Sequence, residues 1–139
     1  MYGNLKNSII VAVDFDGTCV THEYPNVGKD IGAVPVLKKL VENGHQLMLW
    51  TMRGTRPTPE GANTLKDAVN WFKNNDIPLW GINENPDQKA SGWTNSNKQY
   101  AKMYIDDTAL GCPLVIDSVV RPYVDWVEVE KSLTKMGLI

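Results

Sequence analysis

Two carboxylates close the first apolar run of this chain, and a strand that ends in acids limits the fold more than any other feature. Residues 8–13 are β-branched and apolar without the alternation of a half-exposed strand, which predicts a strand buried on both faces, as in a parallel sheet. The run passes directly into Asp14-Phe15-Asp16-Gly17-Thr18. The pattern recurs: residues 46–50 form a second short apolar run that hands over to Thr51 and Arg53, and residues 103–105 form another that ends at Asp106-Asp107. Residues 79–82 and 114–116 are further candidate strands.

Helical spacing appears between these runs. Val34, Leu37, Leu40 and Val41 lie on one stripe, with Pro35 in the first turn and Asn43-Gly44 as the stop. Leu65, Ala68, Val69 and Phe72 form a second stripe, for which Thr58-Pro59 is the expected cap and Asn74-Asn75 with Pro78 the end. Residues 83–97 are polar and rich in turn formers, and residues 96–101 are expected to make a short helix. Trp126, Val129, Leu133 and Met136 form a last stripe, closed by Gly137. Alternating strands and helices predict an α/β, doubly wound, Rossmann-like and mainly parallel sheet with helices on both faces. In such sheets ligands bind at the carboxyl ends of the strands, where Asp14, Asp16, Thr51, Asp106 and Asp107 would meet.

Composition fits one domain over residues 1–139. The 42% hydrophobic content and net charge of −2 are those of an ordinary globular chain and exclude disorder and collagen-like structure. No apolar run approaches the roughly 18 residues of a membrane helix, so neither a span nor a signal peptide is expected. The basic block of a duplex-binding surface is missing. Cys19 and Cys112 are far apart and lack zinc-site spacing, which predicts reduced thiols and a cytoplasmic protein.

Clustered carboxylates at a buried sheet edge repel one another unless a cation neutralises them, and hard oxygen ligands suit Mg²⁺ sharing its shell with a substrate phosphate. A carboxylate beside such an ion can attack phosphorus while a second acid protonates the leaving oxygen and later activates water. Asp14-Phe15-Asp16-Gly17-Thr18 after the first strand, Thr51 after the second, a Lys before the fourth and Asp106-Asp107 after it resemble, in order, the motifs of the haloacid dehalogenase-like (HAD) superfamily. The resemblance covers about residues 9–107. It implies Asp14 as nucleophile, Asp16 as general acid and base, and Thr51 with nearby backbone N–H groups as phosphate holder. It also implies Mg²⁺ held by Asp14, the Asp16 carbonyl and Asp106, with Asp107 a direct or water-mediated ligand. Lys98 fits the phosphate-binding Lys position best, with Lys89 and Lys102 nearby. The acid that often follows the Asp pair is replaced by Thr108-Ala109-Leu110-Gly111.

Asp16 favours phosphate-ester hydrolysis over dehalogenase chemistry within that resemblance, and neither insertion point has room for a cap domain. Such open sites take large substrates or depend on a neighbouring subunit, so a homo-oligomer is compatible with the sequence. Arg53 is a candidate clamp for an anionic substrate, with a solvated surface Arg the plain alternative. His22 is read as a surface residue or a substrate contact, and His45 as a helix-terminus residue. Trp93 is assigned to loop packing, with stacking on a base or sugar as the alternative; Trp50, Trp71 and Trp126 are assigned to the core. The expected activity is a Mg²⁺-dependent phosphomonoesterase acting on a small molecule or a nucleic-acid end. A receiver-like module would carry its paired acids after the first strand instead, and a catalytically idle binding protein would not require the whole acid set.

Overall fold

The computed structural model describes residues 7–139. Four short strands, β1 (Ile10–Val13), β2 (Gln46–Leu49), β3 (Gly81–Ile82) and β4 (Met103–Ile105), pair in parallel in the order β3-β2-β1-β4. The chain steps outward from β1 to β3 and then returns to the far side of β1. The strand order therefore reverses between β1 and β4, the place where open α/β sheets bind ligands.

Strand alternation sends Val11, Val13, Leu47, Leu49 and Ile105 to one face. There they pack against α1 (Ala33–Glu42), α2 (Thr64–Asn74) and α4 (Trp126–Lys135) through Leu37, Leu40, Ala68, Phe72, Val129 and Leu133. Truncating a core Leu such as Leu37 or Leu40 to Ala costs about 2–5 kcal/mol. The opposite face carries a smaller cluster of Ala12, Met48 and Ala101, flanked by Ile10 and Trp50. Trp71 and Trp126 also pack as expected, Trp71 edge-on to Phe15 and Phe72.

Several local expectations are corrected. Helix α2 is capped by Asn63, whose side chain accepts from the Lys66 N–H at 3.0 Å. Thr58 instead closes a turn by exchanging hydrogen bonds with Ala62, with Gly61 at φ 85° inside it, so Pro59 lies in this turn and not in the helix. A six-residue helix, α3 (Pro86–Ser91), lies within the stretch read as loop, with Asn85 as its cap and Pro86 in its first turn; it is too short to show periodicity. Residues 96–101 are not helical. Buried Gln88 and Asn85 take up backbone groups of that segment: Gln88 donates to the Lys98 carbonyl and accepts from the Tyr100 N–H, and Asn85 donates to the Tyr100 carbonyl.

The fifth candidate strand leaves the sheet. β5 (Leu114–Val115) pairs antiparallel with β6 (Tyr123–Val124), and the Val124 N–H donates to the Gly17 carbonyl. This hairpin docks on the turn that follows β1. His45 ends α1 as expected, its N–H donating to the Leu40 carbonyl at 3.1 Å, and its ring is buried: Nδ1 accepts from the Ile9 N–H at 3.2 Å and Nε2 lies 3.0 Å from the Leu138 carbonyl, so the ring ties the last residues to the start of β1. No helix among the described residues is long and apolar enough to cross a membrane.

Candidate active site

The ends of β1, β2 and β4 open into a cleft of about 410 Å³ whose walls include Asp14, Asp16, Thr51, Arg53, Asp106 and Asp107. Residues distant in sequence meet there because parallel strands all present their carboxyl ends to one edge. Asp14, Asp106 and Asp107 each offer a carboxylate oxygen within 4.8 Å of the others. Such an arrangement suits a hard divalent cation by the chemistry of its donors. The Asp16 carboxylate is not part of this cluster.

Burial is the larger cause, and the neighbouring Asp106 charge the next, that push the Asp14 carboxyl up to about 8. A bound divalent cation would relieve both strains. Thr18, fully buried, joins the two acid-bearing turns: its hydroxyl lies 3.0 Å from an Asp14 oxygen and 3.3 Å from an Asp107 oxygen, and accepts from the Asp107 N–H at 3.0 Å. The Trp126 indole N–H fixes the Thr18 carbonyl at 2.7 Å. Burial and the charges of Asp14 and Asp16 push the Cys19 thiol up, so it remains a donor to the Asp14 carbonyl at 3.3 Å.

The Asp14 shift sets a pH dependence. Between its unfolded value of 3.8 and about 8, the folded chain retains a proton that the unfolded chain has lost. Stability therefore falls as pH rises through this window. In EDTA the melting temperature is expected to drop by about 5 °C or more between pH 5 and pH 8. Mg²⁺ should reduce the drop, and Asp14→Asn should remove most of it.

His22 stands 2.8 Å from Asp107 through Nε2 and lines the same cleft, which draws the segment after Thr18 over the acids. Gly17 makes this approach feasible. At φ 77° it occupies left-handed backbone, and a Cβ there would lie 1.9 Å from His22 Nε2 and 2.7 Å from an Asp107 oxygen. Gly17→Ala should expel His22, with a cost of about 1–3 kcal/mol in urea unfolding and a measurable loss of divalent-cation affinity by calorimetry.

The role of Arg53 as an anion clamp does not fit its surroundings. Its side chain is 1% exposed, and its five N–H groups are all engaged. Two go to the oxygens of Asp16 at 2.8 and 2.7 Å, and three to the carbonyls of Pro25, Asn26 and Thr64 at 3.4, 2.8 and 3.1 Å. The guanidinium also lies between the rings of Phe15 and Tyr24. Arg53 thus ties Asp16, the segment over the cleft and the start of α2 together, with no donor left for a substrate.

Thr51 follows β2 and lines the cleft. Its N–H donates to Asn83 Oδ1 at 2.8 Å and its hydroxyl oxygen accepts from the Arg53 N–H at 3.1 Å. Those two backbone N–H groups are thereby taken. Lys98 does not line the cleft; its ammonium rests 5.8 Å from the Tyr104 ring centre. Lys89 pairs with Glu84 at 3.5 Å, and Lys102 likewise stands outside. The cation that sequence reasoning missed is Arg121, delivered to the cleft by the β5–β6 hairpin and not among the described ion pairs. Tyr24 and Met52 were missed too. Trp93 is more than half exposed and lies away from the cleft, so its assignment to loop packing does not hold.

Neither a family model nor a curated protein matches this chain. Among solved structures, a conserved protein from Bacteroides thetaiotaomicron is 30% identical and superposes with a TM-score of 0.70, over 93% of this chain and 92% of that one. The chain belongs to the same family as that conserved protein.

Proposed function

We propose that this chain is a Mg²⁺-dependent phosphomonoesterase of the capless HAD type, acting through an aspartyl-phosphate on Asp14. The observation that carries the reading is the convergence of Asp14, Asp106 and Asp107 in a cleft at the strand-order reversal. Asp14, Asp106 and Asp107 would hold the cation. When bound, it supplies positive charge against the acids and against the phosphoryl oxygens.

On this reading the chain's own groups act in two steps. An Asp14 oxygen bonds to phosphorus as the bond from phosphorus to the leaving oxygen breaks, and Asp16 gives that oxygen a proton. Water then attacks phosphorus, Asp16 takes the proton, and the Asp14–phosphorus bond breaks to release phosphate. Thr51 and Arg121 meet the phosphoryl oxygens. Both Asp16 oxygens accept from Arg53, which fixes the orientation of that carboxylate at the cleft. The free thiols of Cys19 and Cys112 support a cytoplasmic setting.

The test is hydrolysis of an aryl and an alkyl phosphate with Mg²⁺ and with EDTA. Turnover lost in EDTA supports the reading, and a folded, metal-binding protein that hydrolyses neither ester counts against it. Asp16→Asn should cost the alkyl ester about 10²-fold or more and the aryl ester less, because a good leaving group needs no proton. A larger rate loss in Arg121→Ala than in Lys98→Ala supports Arg121 as the phosphate cation. The reverse order assigns that role to Lys98.

A further inference from the structure

Beyond the acids, the cleft does not stop at its own rim. Tyr24 and Met52 belong to its wall and also to the wall of an adjoining groove of about 570 Å³, which continues past Arg56, Thr58 and Glu60 to Thr64. At that shared rim Met52 is 100% exposed and Tyr24 59% exposed. What sets these two apart from other exposed apolar side chains is their place, between the acids of the cleft and the floor of the groove. Arg56 lies farther along the groove, exposed, and takes part in none of the described ion pairs, with Glu60 as the groove's one acid.

We infer that the groove is a leaving-group subsite for a phosphomonoester with a flat or apolar ring and a second anionic group, the chemistry of a nucleotide bearing a second phosphate. The inference rests on the phosphatase reading for the end of the substrate held at Asp14. The reacting phosphoryl group lies at the acid cluster, the ring covers Met52 and Tyr24, and the second anion meets Arg56. A thioether and a phenol ring supply a soft, polarisable face for a base. A guanidinium suits the planar recognition of a second phosphate, while Glu60 disfavours anions that do not reach Arg56. The protein's net charge of −2 makes this a local recognition and not a general attraction to polyanions.

Calorimetric titration of the Asp14→Asn protein, at a Mg²⁺ concentration shown by a separate titration to saturate it, tests this without requiring turnover. The three probes are phenyl phosphate, adenosine 5′-monophosphate and adenosine 3′,5′-bisphosphate. Affinity should rise about fivefold or more at each step. Arg56→Ala should bring the ratio of bisphosphate to monophosphate affinity close to one, and Met52→Ala should shrink the ratio of monophosphate to phenyl phosphate affinity. Equal affinities, no binding by any probe, or an Arg56→Ala ratio that stays at the parent's value would overturn the inference. If the affinity steps appear but the wild-type chain hydrolyses no phosphate ester, the phosphatase reading falls and the groove stands. If the aryl ester is hydrolysed without the affinity steps, the phosphatase reading stands and the groove falls.

Discussion

Asp14→Asn should remove phosphate-ester turnover by about 10³-fold or more while leaving the chain folded. The amide is nearly isosteric with the carboxyl and preserves an acceptor for Thr18, but it cannot form an acyl phosphate at a useful rate. In EDTA at pH 8 the same substitution should raise stability, because the parent must there carry an ionised carboxylate that burial and Asp106 both disfavour. A loss of activity joined to a gain in stability marks a group kept for chemistry. Steady-state rates with an aryl phosphate and thermal melts in EDTA measure the two effects. A variant that is both inactive and less stable than its parent would assign Asp14 a structural role.

Arg53→Ala should destabilise the fold by about 3–5 kcal/mol, the cost of removing one partner of a buried ion pair. The loss extends past Asp16. The carbonyls of Pro25, Asn26 and Thr64 lose their donor at the same time, so the segment carrying His22 and Tyr24 should loosen over the cleft. Arg53→Lys keeps the charge but cannot serve five acceptors in one plane, and should recover only part of the loss. Urea unfolding gives the stability, and amide exchange in residues 21–28 gives the loosening. A loss below about 1 kcal/mol, the scale of an exposed pair, would contradict the role of Arg53 as a buried tie.

What the sequence made legible extends as far as local rules and strand topology do. Asp14, Thr51, Asp106 and Asp107 could be placed at one edge because apolar runs ending in polar residues determine both the strands and the end that carries the site. The stripe of α1 and that of α4 were legible for a similar reason, since each buries one face. Arg53 was misread because its meaning lies in partners drawn from three separate segments, and no spacing in sequence encodes five simultaneous acceptors. Arg121 was invisible because two-residue strands carry no periodicity, and only the docking of Val124 on Gly17 turns that hairpin over the cleft. The Asn85 and Gln88 contacts explain why residues 96–101 are not helical: two buried amides satisfy backbone groups that a helix would otherwise have paired.

On the proposed route, phosphate passes through the carboxylate of Asp14. The most direct test is rapid acid quenching of the wild-type chain during turnover of a ³²P-labelled aryl phosphate with Mg²⁺, followed by peptide mapping. The aspartyl-phosphate route predicts protein-bound label that hydroxylamine removes, that maps to the peptide containing Asp14 and that is missing from Asp14→Asn. Steady hydrolysis without bound label, or label on any other residue, would contradict it.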